Sequence, residues 1–236
     1  MDSHRRLPKP RLHRDAMIKV PKPSKTPSDE SSPASRQLIL DVAAELFHTR
    51  GYAETGIRPI ADSVGIKTAS IYHHFSSKDQ IYEEILKTGL ELTARATRDA
   101  VARLPKNASP RDCIEAAIEG HLRGIHSHIT YTSANVRFRG QIPPRVDEVM
   151  RPLREKYISY WQQLIENARR SGHLKPGLKS SLIRSLVIGA LNQTLTWFDA
   201  SAGSLDKLIE TTIILLSGIW AKDRAIQHRR RATPSK

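Results

Sequence analysis

Between Pro33 and Leu104 four apolar stripes of helical period follow one another, broken at Gly51, Gly65 and Ser76-Ser77, and the middle two are short. In the first, Ile39, Val42, Ala43, Leu46 and Phe47 keep the i, i+3, i+4, i+7, i+8 spacing of a helix with one buried face. Pro33 suits its first turn and Gly51 its end. Thr55 is placed to cap a second helix that buries Ile57, Ile60, Ala61 and Val64 and is closed by Gly65. Pro59 falls early enough in that helix to forfeit about one backbone bond. Ile66 to Phe75 is the third pattern, with Ile66, Ile71 and Phe75 as its core contacts. Ser77-Lys78-Asp79-Gln80 has the form of a capping box and opens a fourth, longer helix through Ile81, Ile85 and Leu86 toward Leu104.

Two short helices joined at a glycine and braced by a longer one are the parts of a helix-turn-helix, which lays its second short helix in the DNA major groove. That groove admits one helix and shows a distinct donor and acceptor pattern at each base pair. The candidate reading helix turns Thr68, Ser70, Tyr72, His73 and His74 outward, and Arg58, Lys67 and Lys78 flank it. Hydroxyl, phenol and imidazole groups bond phosphate oxygens, and Thr68 or Ser70 can reach base edges. Lys78 opposes the dipole of the helix it starts, so its use lies elsewhere, and a phosphate there would meet both free N–H groups and an ammonium.

The stretch from Arg36 to Tyr82 resembles the DNA-binding domain of the tetracycline-repressor (TetR) family. Phe47, Gly51-Tyr52, Ile60-Ala61, Val64-Gly65 and Tyr72-His73-His74-Phe75 followed by Lys78 match its pattern in register. The resemblance implies that Thr55, Thr68, Tyr72, His73 and Lys78 touch the phosphate backbone and that Lys67 to Ser70 face base edges. Pro59 stands where the family often has an acid, and Lys67 where it often has a Ser or Thr cap, which frees Lys67 to reach DNA.

Helical patterns continue beyond Pro105. Ser109-Pro110-x-Asp112 opens a helix to about His128; Pro143-Pro144 precede another to about Arg170, which Pro152 is expected to kink or split. The segment from Ile129 to Val136 is ambiguous between strand and helix, and the whole is read as all-α. Two last helices, Leu182–Phe198 and Leu205–Trp220, are apolar over more than one stripe. Leu186, Ala190 and Leu191 on the first and Leu208, Ile209, Ile213 and Leu216 on the second would build a two-fold four-helix homodimer interface, as the family resemblance also implies. By the same resemblance the intervening helices enclose an effector cavity. Its candidate lining is His121, Ile125, Tyr131, Val136, Tyr157, Trp161 and Trp197. Arg137 and Arg139 are the candidate anion anchors. The Tyr72-to-Lys78 run is similar to that of TetR-like regulators of lipid and acyl-CoA metabolism, which implies an acyl-CoA or another lipid-like effector.

Charge is unevenly spread. The full 236 residues carry a net +14, but residues 35–86, the reading unit, are net −2, while the Pro-rich first 34 residues hold +4 and residues 222–236 hold +5. Bulk basicity therefore allows a polyanion partner without locating it. The expected division is a basic arm at 1–32, the reader at 33–80, an effector and dimerisation domain at 81–221, and a basic tail at 222–236. One cysteine, Cys113, excludes an internal disulfide and fits a reducing cytoplasm; no apolar run reads as a membrane span or signal peptide.

No nucleophile elbow, phosphate-binding Gly-rich loop or zinc-protease pair occurs, and His121, His126 and His128 lack zinc-site spacing, so neither an enzyme, a metal site nor a cofactor is expected. The expected function is a ligand-responsive transcriptional regulator, a repressor that binds a palindromic double-stranded DNA operator on the nucleoid as a homodimer and is released by a small apolar or amphiphilic effector. The alternative is a sequence-indifferent DNA-compacting protein driven by the basic tails.

Overall fold

A computed structural model describes residues 32–137, 140, 142–199 and 201–221. The basic arm and basic tail expected at 1–32 and 222–236 thus lie outside the described residues, apart from Ser32, as does Arg139. The fold is all-α: α1 Pro33–Glu54, α2 Ile57–Val64, α3 Thr68–His74, α4 Lys78–Ala102, α5 Pro110–Ser127, α6 Ile129–Thr132, α7 Ala134–Arg137, α8 Pro144–Arg170, α9 Ser180–Trp197 and α10 Leu205–Leu216. The ambiguous stretch after His128 is two single-turn helices. An isolated bridge between Leu174 and Trp220 is the extended pairing found among the described residues.

Local chemistry sets the boundaries. Ser32 caps α1 by accepting from the Ser35 N–H at 3.2 Å. Gly51, at φ 83°, breaks the α1 backbone three residues before its end, a conformation that a side chain would strain. Gly65, at φ 82° and ψ 29°, closes α2 in the left-handed region and sets the turn into α3. Ser77 accepts from the Gln80 N–H, but the Gln80 side chain takes the N–H of Ser76 at 2.7 Å rather than that of Ser77, so the box is displaced by one residue. The complete reciprocal box is at α5, between Ser109 and Asp112. Pro152 does not split α8, which runs unbroken for 27 residues; both Pro152 and Glu148, whose carbonyl loses its partner, lie on the exposed side, where water can serve that oxygen.

Two apolar clusters organise the chain. One joins Ile39, Phe47, Ile60, Ile71 and Phe75 of the N-terminal helices to Ile81, Tyr82 and Ile85 of α4, and takes in Ala134 of α7 and Met150 of α8. The other packs Ile114 and Ile118 of α5 and Trp161 and Ile165 of α8 with Val187 and Leu191 of α9 and Ile209 of α10. The α4 helix runs through both. It approaches α5 so closely that a Cβ on Gly120 would lie 2.6 Å from the Ala96 carbonyl oxygen. The three-helix reader is thus welded to the body by a shared core.

Candidate functional site

Seven residues of α3 present a mixed face. Ile71 and Phe75 anchor it with essentially no exposure, whereas Tyr72 is 55% exposed and Lys67, Ala69 and His73 are also exposed, with Thr68 half-buried at the first turn. Lys67 occupies the N-cap and its side chain makes no capping bond, so the ammonium is not spent on holding the helix. Arg58 stands out from α2 and makes only a long 4.0 Å ion pair with Asp62. Arg58, Lys67, Thr68, Tyr72 and His73 are the sequence-expected contacts available to a ligand. Ala69, within the Lys67-to-Ser70 stretch that the resemblance turns to base edges, is exposed too, and apolar contact with a thymine methyl is what its methyl offers.

Three expected contacts sit elsewhere. Thr55 is fully buried and caps no helix start; its hydroxyl donates to the Gly51 carbonyl at 2.8 Å, closing the end of α1, while Gly56 takes the N-cap of α2. A Thr hydroxyl can serve a carbonyl as well as an N–H, and the strained turn at Gly51 leaves a carbonyl to serve. Ser70 is 4% exposed and faces the interior beside Ile71, so it cannot meet a base edge. Lys78 is half-buried: its ammonium donates to the Tyr52 carbonyl at 2.9 Å and stands 3.9 Å from the centroid of the Tyr52 ring. Tyr52 in turn donates to Asp79, and burial and that carboxylate push its phenol well above the ordinary range. Lys78 is therefore first a brace between α4 and the end of α1.

A cavity of about 110 Å³ lies between α4, α5, α6, α7, α8 and α9. Of the expected lining, His121, Ile125, Val136 and Tyr157 are in its wall. Tyr131 is not: its hydroxyl reaches Asp41 and accepts from Gln37 of α1. Trp161 is core, edge-on to the His121 ring at 6.0 Å, and Trp197 points away from the interior with 63% exposure. Arg137 begins a stretch whose side chains lie outside the described residues. His121 Nδ1 lies 2.8 Å from Tyr157 Oη, its Nε2 3.1 Å from Asn192 Oδ1, and Tyr157 Oη 2.7 Å from Thr97 Oγ1. Burial, opposed by Asn192, lowers the His121 pKa to about 4, so the imidazole is neutral at physiological pH. Burial likewise lifts the Tyr157 phenol to about 12.

The cation in this wall is Arg154, which sequence reasoning missed. Its signal was periodicity: Val146, Met150, Tyr157, Trp161 and Ile165 are buried on α8, and Arg154 sits on that stripe.

On the outer side of α9, Leu182, Leu186, Ala190 and Trp197 form an exposed stripe, with Leu186 at 73%, and α10 adds Ile214 and Leu215, the latter at 78%. Leu208, Ile213 and Leu216 are half-buried at its margin. Leu191 and Ile209, expected in the dimer interface, are instead core of the subunit, at 1% and 6% exposure, because the inward faces of both helices are as apolar as the outward ones. Among the described residues no helix is long and apolar enough to cross a membrane, and no group of His, Cys, Asp or Glu is arranged to hold a metal.

Residues 39–85 match the family model for bacterial regulatory proteins of the tetR family, and residues 107–208 that for the tetracyclin repressor-like C-terminal domain. The HTH-type transcriptional repressor KstR2 of Rhodococcus jostii RHA1 is 33% identical over 164 residues, which is 67% of this chain and 74% of that protein. The structure of the ketosteroid transcriptional regulator KstR2 of Mycobacterium tuberculosis shares the fold with a TM-score of 0.69 at 23% identity, covering 81% of this chain and 97% of that one. AibR, in its complex with isovaleryl coenzyme A and operator DNA, superposes with a TM-score of 0.67 at 18% identity, over 75% of this chain and 95% of that one. The chain belongs to the tetR family of bacterial regulatory proteins: it is a dimeric, operator-binding regulator of transcription that takes a small-molecule effector, and it is not an enzyme.

Proposed function

We propose that this regulator binds a palindromic operator through the exposed face of α3, that Arg58, Thr68, Tyr72 and His73 hold phosphates, and that Lys67 with Thr68 and Ala69 reads base edges. The supporting observation is that Lys67, Ala69, Tyr72 and His73 are exposed along α3 and Thr68 is half-buried, while Ser70, Ile71 and Phe75 are buried, and that Arg58 is exposed on α2. Lys78 contributes charge from behind that face and positions it. Two copies joined through the outer stripe of α9 and α10, with Leu186, Ala190, Ile214 and Leu215 at its centre and Leu208, Ile213 and Leu216 at its edge, present two readers about one duplex turn apart, roughly 34 Å. The working division is a reader over 33–80 and an effector and dimerisation domain over 81–221, with the segments before and after adding nonspecific charge.

The effector occupies the cavity around His121, Ile125, Val136 and Tyr157. An apolar or amphiphilic molecule, an acyl-CoA or another lipid-like compound, is favoured by its aliphatic wall and by the isovaleryl coenzyme A complex of AibR. The α6–α7 segment links the two sites: Thr132, Asn135 and Val136 line the cavity, while His48 Nδ1 of α1 lies 2.6 Å from Ser133 Oγ. A ligand that displaces this segment moves the reader, and a coupling of about 1–3 kcal/mol changes operator affinity about 5- to 150-fold. Selecting duplexes from a random pool with the full-length protein, then titrating the selected duplex with Tyr72→Ala, tests the reading. Enrichment of a palindrome that the variant binds at least tenfold more weakly supports it; binding without sequence preference counts against it.

A further inference from the structure

We infer that the cavity takes a ligand bearing one buried carboxylate, held by Arg154, and a short hydrocarbon body; this rests on the reading that the cavity is the effector site. Arg154 rises from α8 into the cavity wall. Its Nη2 donates to the Asp147 carboxylate and, at 3.3 Å, to the Asp147 carbonyl, whereas its Nη1 is buried and has no hydrogen-bond partner. Asp147 does not neutralise the site by itself, because Arg151 also approaches that carboxylate, at 3.9 Å, leaving two guanidinium groups to one acid. Among the described residues no Asp or Glu lines the cavity, and the neutral His121 adds no charge.

The remaining polar groups of the wall are already engaged. Thr93 donates to the Gly89 carbonyl at 2.9 Å, Thr132 to that of Ile125 at 2.6 Å, and Asn135 to that of Leu86 at 3.0 Å. His121 bonds both Tyr157 and Asn192 Oδ1. The outstanding demand is the Arg154 donor, and leaving a buried charged donor unpaired is costly, whereas a carboxylate makes a charge-assisted bond with it. Leu90, Ile125, Val136, Ile158 and Ile188 supply the apolar part of the wall. A cavity of about 110 Å³ is below the roughly 150 Å³ that accommodates benzene, which fits a small organic acid of about five carbons or fewer, the carboxylate included. A coenzyme A thioester has no carboxylate at its acyl carbonyl and keeps its phosphates far from the acyl chain, so Arg154 distinguishes the free acid from its thioester.

The test is calorimetric titration of the full-length dimer at pH 7 with butanoate, butanamide, pentanoate, pentanamide and butanoyl-coenzyme A, repeated on Arg154→Met and Arg154→Lys with melting curves for all three proteins. The acids should bind the wild type about tenfold or more tightly than their amides, Arg154→Met should bind acid and amide alike, and Arg154→Lys should recover part of the preference. Equal binding of acid and amide by the wild type, which needs no variant to fold, overturns the inference. So does a preference retained in Arg154→Met, binding of the thioester without the acid, or failure of every acid to bind. Operator binding is measured alongside, with and without the acid: acid binding that leaves the operator complex intact would sink the effector reading and spare the anchor, whereas loss of all acid binding with operator selection intact sinks the anchor alone.

Discussion

Tyr131 Oη donates to Asp41 Oδ1 at 2.5 Å, so the single-turn helix that sends Thr132 into the cavity wall also grips the first helix of the reader. Burial, and after it the Asp41 carboxylate, pushes the Tyr131 phenol well above its ordinary range, which keeps it a donor at any physiological pH. Tyr131→Phe should cost about 1 kcal/mol of stability, read by denaturant unfolding, and should reduce the change in operator affinity that an effector produces. A variant with wild-type coupling would show that this contact transmits nothing.

Tyr72→Ala should weaken operator binding at least about tenfold and Arg58→Ala at least severalfold, while each shifts stability by less than about 0.5 kcal/mol, since both side chains are exposed. Lys78→Met should behave differently, losing roughly 1–2 kcal/mol of stability together with operator affinity, because its ammonium holds the Tyr52 carbonyl and ring. Thermal melts beside mobility-shift titrations separate the two classes.

The His121 imidazole makes stability depend on acid. Its folded pKa of about 4 lies below the unfolded value of about 6.5, so the unfolded chain binds the extra proton. Stability from this group is complete above about pH 6.5, declines as pH falls toward 4, and is flat below; the full loss is on the order of 3 kcal/mol. His126, half-buried and also lowered by burial, adds in the same direction. His121→Gln should flatten this slope relative to the wild type in urea titrations at pH 4.5, 5.5 and 7.

Leu186→Glu combined with Leu215→Glu should yield a folded monomer, because both residues are on the outer stripe and neither fills the subunit core. Operator affinity should then fall by the avidity that two linked readers provide, roughly a hundredfold or more. Leu191→Glu should instead unfold the subunit. Sedimentation with circular dichroism distinguishes these outcomes.

The register of α3 could be read in the sequence because Ile71 and Phe75, one turn apart, fix the buried side and so place Tyr72 and His73 in solvent. Ser70 escaped that reasoning: it lies next to Ile71 on the interior side, and a hydroxyl is small enough to be buried there. Thr55 serves the end of α1 rather than the start of α2, because propensity identifies a capping residue but not which of two adjoining helix ends it serves. In α9 and α10 both faces are apolar, so pattern could not divide Leu191 and Ile209, which fill the core, from Leu186 and Leu215, which do not. The cavity wall depends on how α8 is rotated against α4 and α5. The approach of α5 to α4 is set by close packing at Gly120 against Ala96 and Thr97, which no local pattern shows.

The most direct test is duplex selection from a random pool with the full-length dimer, run in parallel for the wild type and Tyr72→Ala. A palindrome with half-sites about one duplex turn apart, enriched by the wild type and lost with the variant, is the expected result. The same palindrome recovered equally by both proteins, or no preferred sequence from the wild type, would contradict the assignment of the α3 face as the reader.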